Sequence, residues 1–238
     1  MARVCLCVNQ VARLRNMNKN SQPDPAAIAI AAEIGGADGI VAMLREDRSD
    51  ITDRDVSVLK EVVHSHLNLV LPLNDEMIKK CIQWLPDMVT LVPASRGEGK
   101  DEGPLDVSNN LEYIEDVTTA LRANNIIVNM LISADTQQVR SAARAGVDYV
   151  QLNTSSLSSI EDLGSMTEQL EKLRSVALAA NKLGLGVAAG RGLSYQNIRE
   201  LADIALIEEL NVGRAILSRA LLVGMERAIT DIKSLLRP

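Results

Sequence analysis

Residues 25–44 read PAAIAIAAEIGGADGIVAML, and this stretch decides the architecture. Pro25 to Ile34 carries apolar residues at the i, i+3, i+4 spacing of a helix. Gly36-Ala37-Asp38-Gly39 then places glycine at a helix C-terminus, just ahead of a strand. Gly39 to Leu44 is a short continuous apolar run of the kind a buried parallel strand shows. The same joint recurs at Ala145-Gly146-Val147-Asp148 and at Leu183-Gly184-Leu185-Gly186.

Working outward, strand-type runs fall at Val4–Val8, Gly39–Leu44, Asn68–Leu71, Met88–Val92, Ile126–Ile132, Tyr149–Leu152, Gly186–Ala189 and Glu209–Val212. Helical patterns lie between them at Pro25–Ile34, Asp53–His64, Asp75–Trp84, Ser108–Arg122, Thr136–Ala145, Ser165–Leu183, Ser194–Ala202 and Ala215–Leu235. Strict alternation of this kind over 238 residues predicts an α/β fold, a single (β/α)8 TIM barrel spanning 1–238. Such barrels take about 250 residues. An open doubly wound sheet would want a glycine-rich fingerprint after the first strand, and Val8-Asn9-Gln10-Val11 is not one. The polar stretch Pro93 to Asp106 reads as a mobile loop rather than a boundary, because the same pattern continues on both sides.

The chain is 47% apolar and 24% charged, the balance of a folded protein. No apolar run approaches the roughly 18–20 residues that span a bilayer, which argues against a membrane protein. The opening MARVCLCVNQ lacks the apolar core of a secretion signal. Three cysteines without metal-ligand spacing fit a reducing cytoplasm. A net charge of −6 gives no basic footprint for nucleic acid, and 2% aromatics leave little to stack on bases.

In a barrel of this type, ligands bind at the carboxyl-terminal ends of the strands. The residues expected there are Asn9; Met43, Arg45, Glu46, Asp47 and Arg48; Val70, Leu71 and Pro72; Ser95, Arg96 and Lys100; Ser133 and Asp135; Gln151 and Asn153; Gly190-Arg191-Gly192; and Gly213-Arg214. Arg45, Arg191 and Arg214 form a cationic cluster on an acidic chain, which points to a small anionic partner rather than a polymer. Gly192 and Gly213 follow the last two strands, where backbone N–H groups and helix N-termini commonly hold phosphate. The competing reading pairs these arginines with loop carboxylates such as Glu46 and Asp47. His64 and His66 fall at the opposite end of the barrel, out of reach of the ligand face. Cys5 and Cys7 read as core packing. Asn16, Met17 and Asn18 read as a polar loop over the face. No His, Cys or carboxylate cluster has metal spacing, so neither metal nor cofactor is expected.

Several stretches carry a resemblance over nearly the whole chain. They are Val8-Asn9 with Leu14-Arg15-Asn16; Pro23-Asp24-Pro25; Gly36-Ala37-Asp38-Gly39-Ile40; Leu44-Arg45-Glu46-Asp47-Arg48 with Ile51-Thr52-Asp53-Arg54-Asp55-Val56; Leu91-Val92-Pro93; Leu105-Asp106-Val107; Ala189-Gly190 with Gly192-Leu193; and Glu209 to Gly213 with Ala215-Ile216. The chain resembles the pyridoxine 5′-phosphate synthase family of vitamin B6 biosynthesis. The resemblance implies a barrel that condenses 1-deoxy-D-xylulose 5-phosphate with 3-amino-2-oxopropyl phosphate, closing a pyridine ring without a metal. It also implies a homo-oligomer, an octamer built from dimers.

That chemistry needs repeated proton transfers. The family's acid/base positions, carried over by the resemblance, hold Met43 for a His, Val70 for a Glu, Gln151 for a Glu and Arg191 for a His. Arg214 and Asp50 also stand where the family has His, and an Asp-His after Asn9 is missing. Met43 and Val70 transfer no protons, and arginine stays charged. The reading is therefore a barrel that binds a small phosphorylated or anionic metabolite through Asn9, Arg45, Arg191, Gly192, Gly213 and Arg214, with the parent condensation lost. The alternatives are an enzyme of altered chemistry using Asp135 or Glu46 as base, a working synthase with relocated acid/base groups, and a purely structural partner subunit.

Overall fold

A computed structural model describes residues 1–17, 21–94, 103–160 and 162–236. Eight parallel strands close on themselves in chain order. They are β1 (Arg3–Cys7), β2 (Gly39–Met43), β3 (Leu67–Pro72), β4 (Met88–Val92), β5 (Ile127–Ile132), β6 (Tyr149–Asn153), β7 (Gly186–Gly190) and β8 (Glu209–Val212), with β8 pairing back onto β1. The helices are α1 (Asn9–Met17), α2 (Pro25–Ile34), α3 (Asp53–Val62), α4 (Asp75–Trp84), α5 (Leu111–Ala123), α6 (Thr136–Arg144), α7 (Leu163–Lys182), α8 (Ile198–Ala202), α9 (Arg214–Val223) and α10 (Met225–Ser234). This is a (β/α)8 TIM barrel.

Side chains alternate along each strand. Val4, Leu6, Ile40, Ala42, Leu69 and Leu71 point outward into the shell between sheet and helices, which forms the main core. Their neighbours point into the barrel. Its interior is partly polar: Asn129 Nδ2 donates to Thr90 Oγ1, which donates to Asn68 Oδ1, all three residues fully buried. The glycine joints behave as their chemistry requires, with φ of +93° at Gly36, +71° at Gly146 and +79° at Gly184. Side-chain caps open α2 (Asp24), α3 (Thr52, with Asp55 completing a capping box), α4 (Asn74), α6 (Asp135) and α7 (Asp162).

The structure departs from the sequence reading in a few places. Met17 and Asn16 end helix α1 instead of lying in a polar loop; Asn18 falls outside the described residues. Helix α1 buries Val11, Ala12 and Arg15, and three groups tie it to the β2–α3 connection. Arg15 makes two bonds to Asp55 (2.7 and 2.8 Å), Arg13 Nε lies 2.9 Å from both Asp50 oxygens, and the Asn16 amide reaches the carbonyls of Ser49 and Asp50. The single helix expected over Ala215–Leu235 breaks at Gly224 (φ +82°) into α9 and α10. The helix expected from Ser194 begins only at Ile198, because Asn197 Oδ1 takes the Ser194 N–H and holds a turn there. Ser108–Asn110 forms a 3₁₀ turn ahead of α5. Within the stretch Pro93 to Asp106, residues 95–102 lie outside the described residues.

Candidate functional site

The carboxyl-terminal mouth of the barrel has two unlike sides. On β1, β2 and β3 the inward side chains Cys7, Met43 and Val70, at or near the strand ends, are each half-buried between fully buried outward neighbours. Met43 and Val70 are partners in the ladder. Asn9, the first residue of α1, extends the β1–β2 pairing by one step: its Oδ1 accepts from the Met43 N–H and its Nδ2 donates to the Met43 carbonyl, both at 2.7 Å. The Cys7 thiol donates to the same Oδ1 at 3.5 Å. Asn9 thus works as a backbone mimic at the rim, 4% exposed.

On the β7–β8 side, Gly190-Arg191-Gly192 makes a sharp turn in which Arg191 and Gly192 both have φ +73°. The carbonyls of this turn are engaged on one side. Thr154 donates from its N–H (3.0 Å) and Oγ1 (2.9 Å) to the Gly190 carbonyl and from Oγ1 to the Arg191 carbonyl (2.6 Å); Asn197 Nδ2 donates to the Gly192 carbonyl (3.0 Å). A side chain at Gly192 would press its Cβ to 3.1 Å from Ser155 Cα and 3.2 Å from the Thr154 carbonyl oxygen, backbone atoms that do not yield. One strand on, α9 starts directly after β8 with Gly213 at its N-cap, so no side chain caps its first turn. Those N–H groups and the helix dipole make this end electropositive. Arg214 opens that turn and is exposed.

The β2–α3 connection adds further charge. Arg45 is buried, with Nε 3.7 Å from Asp47 Oδ1. A hydrogen bond from the Ser49 N–H, aided by Arg45, holds the Asp47 carboxyl below its ordinary range. Arg48 (φ +52°) bonds to Glu76 (2.7 Å) and to the Glu46 carbonyl (2.6 Å). The Glu46 carboxylate accepts from the Asn74 amide, and Asp135 accepts the Gln137 N–H at 2.9 Å as the α6 cap. The Cys7 thiol registers the charges gathered above it: burial raises its pKa, Arg191 and Arg13 pull it down, and Asp50 pushes it up.

Residues 4–238 match the family described as pyridoxal phosphate biosynthesis protein PdxJ. The chain belongs to that family. Among PdxJ relatives, the pyridoxine 5′-phosphate synthase of Geotalea daltonii is 41% identical over 237 residues, covering 100% of this chain and 99% of the relative. That of Prochlorococcus marinus is 42% identical over 236 residues, covering 99% of each. Among solved structures, thiamine phosphate pyrophosphorylase from Pyrococcus furiosus superposes with a TM-score of 0.65 at 15% identity, covering 99% of this chain and 95% of that one, a likeness of fold alone.

In this PdxJ barrel, Met43 and Val70 are ladder partners at the mouth, Gly213 lies against Cys7, Arg191 acts on the Cys7 thiol by its charge, and Arg45 and Gln151 are buried. Gln151 Oε1 accepts from Asn211 Nδ2 at 2.8 Å. His64 is exposed at the far end. His66 is there too, its Nε2 3.9 Å from a fully buried Glu209 whose carboxylate lies 3.3 Å from Arg3. Ser95, Arg96 and Lys100 fall outside the described residues. Sequence reasoning missed Arg13, Thr154 and Asn197. The Arg13–Asp50 pair spans 37 positions and Thr154 acts 36 residues from its acceptor, so no local pattern announces either. Among the described residues, no group of three or more His, Cys, Asp or Glu could hold a metal ion, and no helix is long and apolar enough to cross a membrane.

Proposed function

We propose that this PdxJ barrel binds a small phosphorylated or otherwise anionic metabolite at its carboxyl-terminal face and does not carry out the ring-closing condensation. The observation that carries the reading is the pair Met43 and Val70, partners in the ladder and half-open to the mouth. Side chains at these positions would have to move protons, and neither can. Arg191 between two glycines and the uncapped start of α9 support anion binding by charge and by backbone N–H groups. Arg214, Arg45, Gly192, Gly213 and Asn9 complete the proposed binding set, Asn9 by fixing the rim. Asp135 and Glu46 are weaker candidates for a base, because each already accepts a hydrogen bond that holds a helix start or its capping residue. No metal or cofactor takes part in this reading.

A thermal-shift titration tests it, with inorganic phosphate, 1-deoxy-D-xylulose 5-phosphate and pyridoxine 5′-phosphate. A ligand of the folded state adds about 2.7 kcal/mol at 100 times its Kd. Arg191→Ala and Arg214→Ala should each weaken binding by about 1.5–3 kcal/mol, the size of a hydrogen bond to a charged group. Turnover of the two family substrates to pyridoxine 5′-phosphate would overturn the lost-catalysis half; no shift with any anion would overturn the binding half. The proposal extends to a cytoplasmic homo-oligomer, an octamer on the family resemblance. Leu221, Leu222 and Ile34, exposed by 73%, 80% and 68%, supply apolar surface for such contacts. Light scattering on the purified chain reads the assembly directly.

A further inference from the structure

We infer that the ligand of this site has an apolar body: a phosphate monoester of an aromatic or aliphatic alcohol, not of a polyhydroxylated chain. The inference rests on the anion-site reading above and adds what the rest of the mouth selects. Five consecutive strands, β1 to β5, send Cys7, Met43, Val70, Val92 and Leu131 inward at or near their carboxyl ends. All five stand apart from the outer core shell, because their outward-facing neighbours fill it. Val92 and Leu131 are fully buried, and the three beside them are half-open.

The half-open part of this apolar arc lies on β1 to β3; Arg191, at the end of β7, stands across the ring from Val70 on β3, and the start of α9 after β8 adjoins Cys7. The one hydrogen-bond donor on the arc, the Cys7 thiol, already donates its proton to Asn9, and the Met43 thioether is at best a weak acceptor. Burial keeps this thiol protonated, as an uncharged wall requires. A hydroxyl turned toward the half-open Met43 or Val70 would give up its water without gaining a partner, which penalises a hydroxylated chain. A ring or alkyl body would instead bury apolar surface there while its phosphate met Arg191 and the start of α9. The arrangement separates the two ends of one amphiphilic ligand onto opposite sides of the mouth.

Isothermal titration of the whole protein with three probes tests this: inorganic phosphate, glycerol 3-phosphate and phenyl phosphate. Phenyl phosphate should bind about tenfold more tightly than glycerol 3-phosphate. Tenfold corresponds to about 1.4 kcal/mol, which burial of roughly 55 Å² of apolar surface supplies. Met43→Gln and Val70→Asn should each cut that preference to about threefold or less with little change for inorganic phosphate. Equal affinities for the two esters, with inorganic phosphate still bound, would overturn the apolar body and leave the anion reading standing. Failure of all three probes to bind would overturn both. The wild-type comparison decides the matter even if a variant fails to fold.

Discussion

Removing Arg15 isolates the interaction that fastens α1 to the barrel. Its guanidinium meets Asp55 at 2.7 and 2.8 Å, and Nη2 also reaches the Asp50 carbonyl at 3.2 Å. Asp55 is 3% exposed and Arg15 8%. Arg15→Met keeps most of the volume and leaves a buried carboxylate with the Thr52 N–H and hydroxyl, each at 2.9 Å, and the exposed Arg54 Nη1 at 3.9 Å. Breaking one side of a buried pair costs about 3–5 kcal/mol. The two surviving bonds place this case near the lower figure, about 3 kcal/mol. Burial by itself raises the Asp55 pKa; hydrogen bonds from Arg15 and Thr52 outweigh it, so the folded carboxyl titrates below its ordinary value. A depressed folded pKa gives stability that is present above the unfolded carboxylate value of about 3.9 and is lost as pH falls through the folded value. In Arg15→Met burial meets less opposition, the folded carboxyl rises, and protonation then relieves the variant. The gap between wild type and variant should therefore be widest at pH 7 and narrow toward pH 4. Adding Asp55→Asn to the variant should recover most of the loss at pH 7. Urea unfolding at both pH values measures all of this. A gap under about 1 kcal/mol at pH 7, or one that ignores pH, would refute the account of α1 as an ion-paired clamp.

Two further outcomes follow from the same geometry. Arg191 holds a left-handed conformation that costs a non-glycine residue about 1–2 kcal/mol; Arg191→Gly should release it, less the entropy glycine brings, and raise the melting temperature by a few degrees while phosphate binding falls. A melting temperature that drops instead would show that the side chain braces the turn. All three thiols have raised pKa values, Cys81 to about 12 by burial, Cys5 mainly by burial with Glu209 beside it, and Cys7 by burial. A disulfide reagent at pH 8 should label folded protein slowly, half-open Cys7 first and the other two only on unfolding; prompt labelling of Cys5 or Cys81 would contradict their placement in the core.

The barrel was legible because its punctuation is local. Gly36, Gly146 and Gly184 each demand a positive φ at the foot of a strand, and the apolar run after each can only be buried from both faces. β4, β8, α2 and α4 accordingly begin and end where their patterns do. Helix α1 was illegible because two of its buried positions are Asn9 and Arg15, residues that read as solvated until partners 34 and 40 positions away are in place. Gly224 gave no warning because a glycine inside an apolar helical pattern is often tolerated. At the site, Gly-Arg-Gly after β7 was readable as a tight turn, and its role toward an anion is part of the proposal. The bonds from Thr154 and Asn197 that engage its carbonyls were not, because hydroxyl- and amide-to-carbonyl bonds of this kind leave no periodicity.

Charge in this barrel is sorted along its axis. The carboxylate deepest in the barrel, Glu209, lies at the amino-terminal end with Arg3 and His66, below the buried amide and hydroxyl chain of Asn129, Thr90 and Asn68. A proton there has no direct route to a ligand on the opposite face. Four described carboxylates around the carboxyl-terminal mouth are committed: Asp50 to Arg13, Asp47 to the Ser49 N–H, Glu46 to Asn74 and Asp135 to the start of α6. Among the described residues, the mouth also presents arginine after β7 and β8 and half-open apolar side chains at Met43 and Val70. On the proposed function, such a face would attract and orient an anion and would have few described groups with which to shuttle protons. That division of labour, more than the loss of any single residue, favours binding without condensation. It also explains why replacing one residue at the mouth with histidine should not rebuild the parent chemistry: the new imidazole would stand alone among apolar and cationic neighbours, with no second acid or base to complete the transfer.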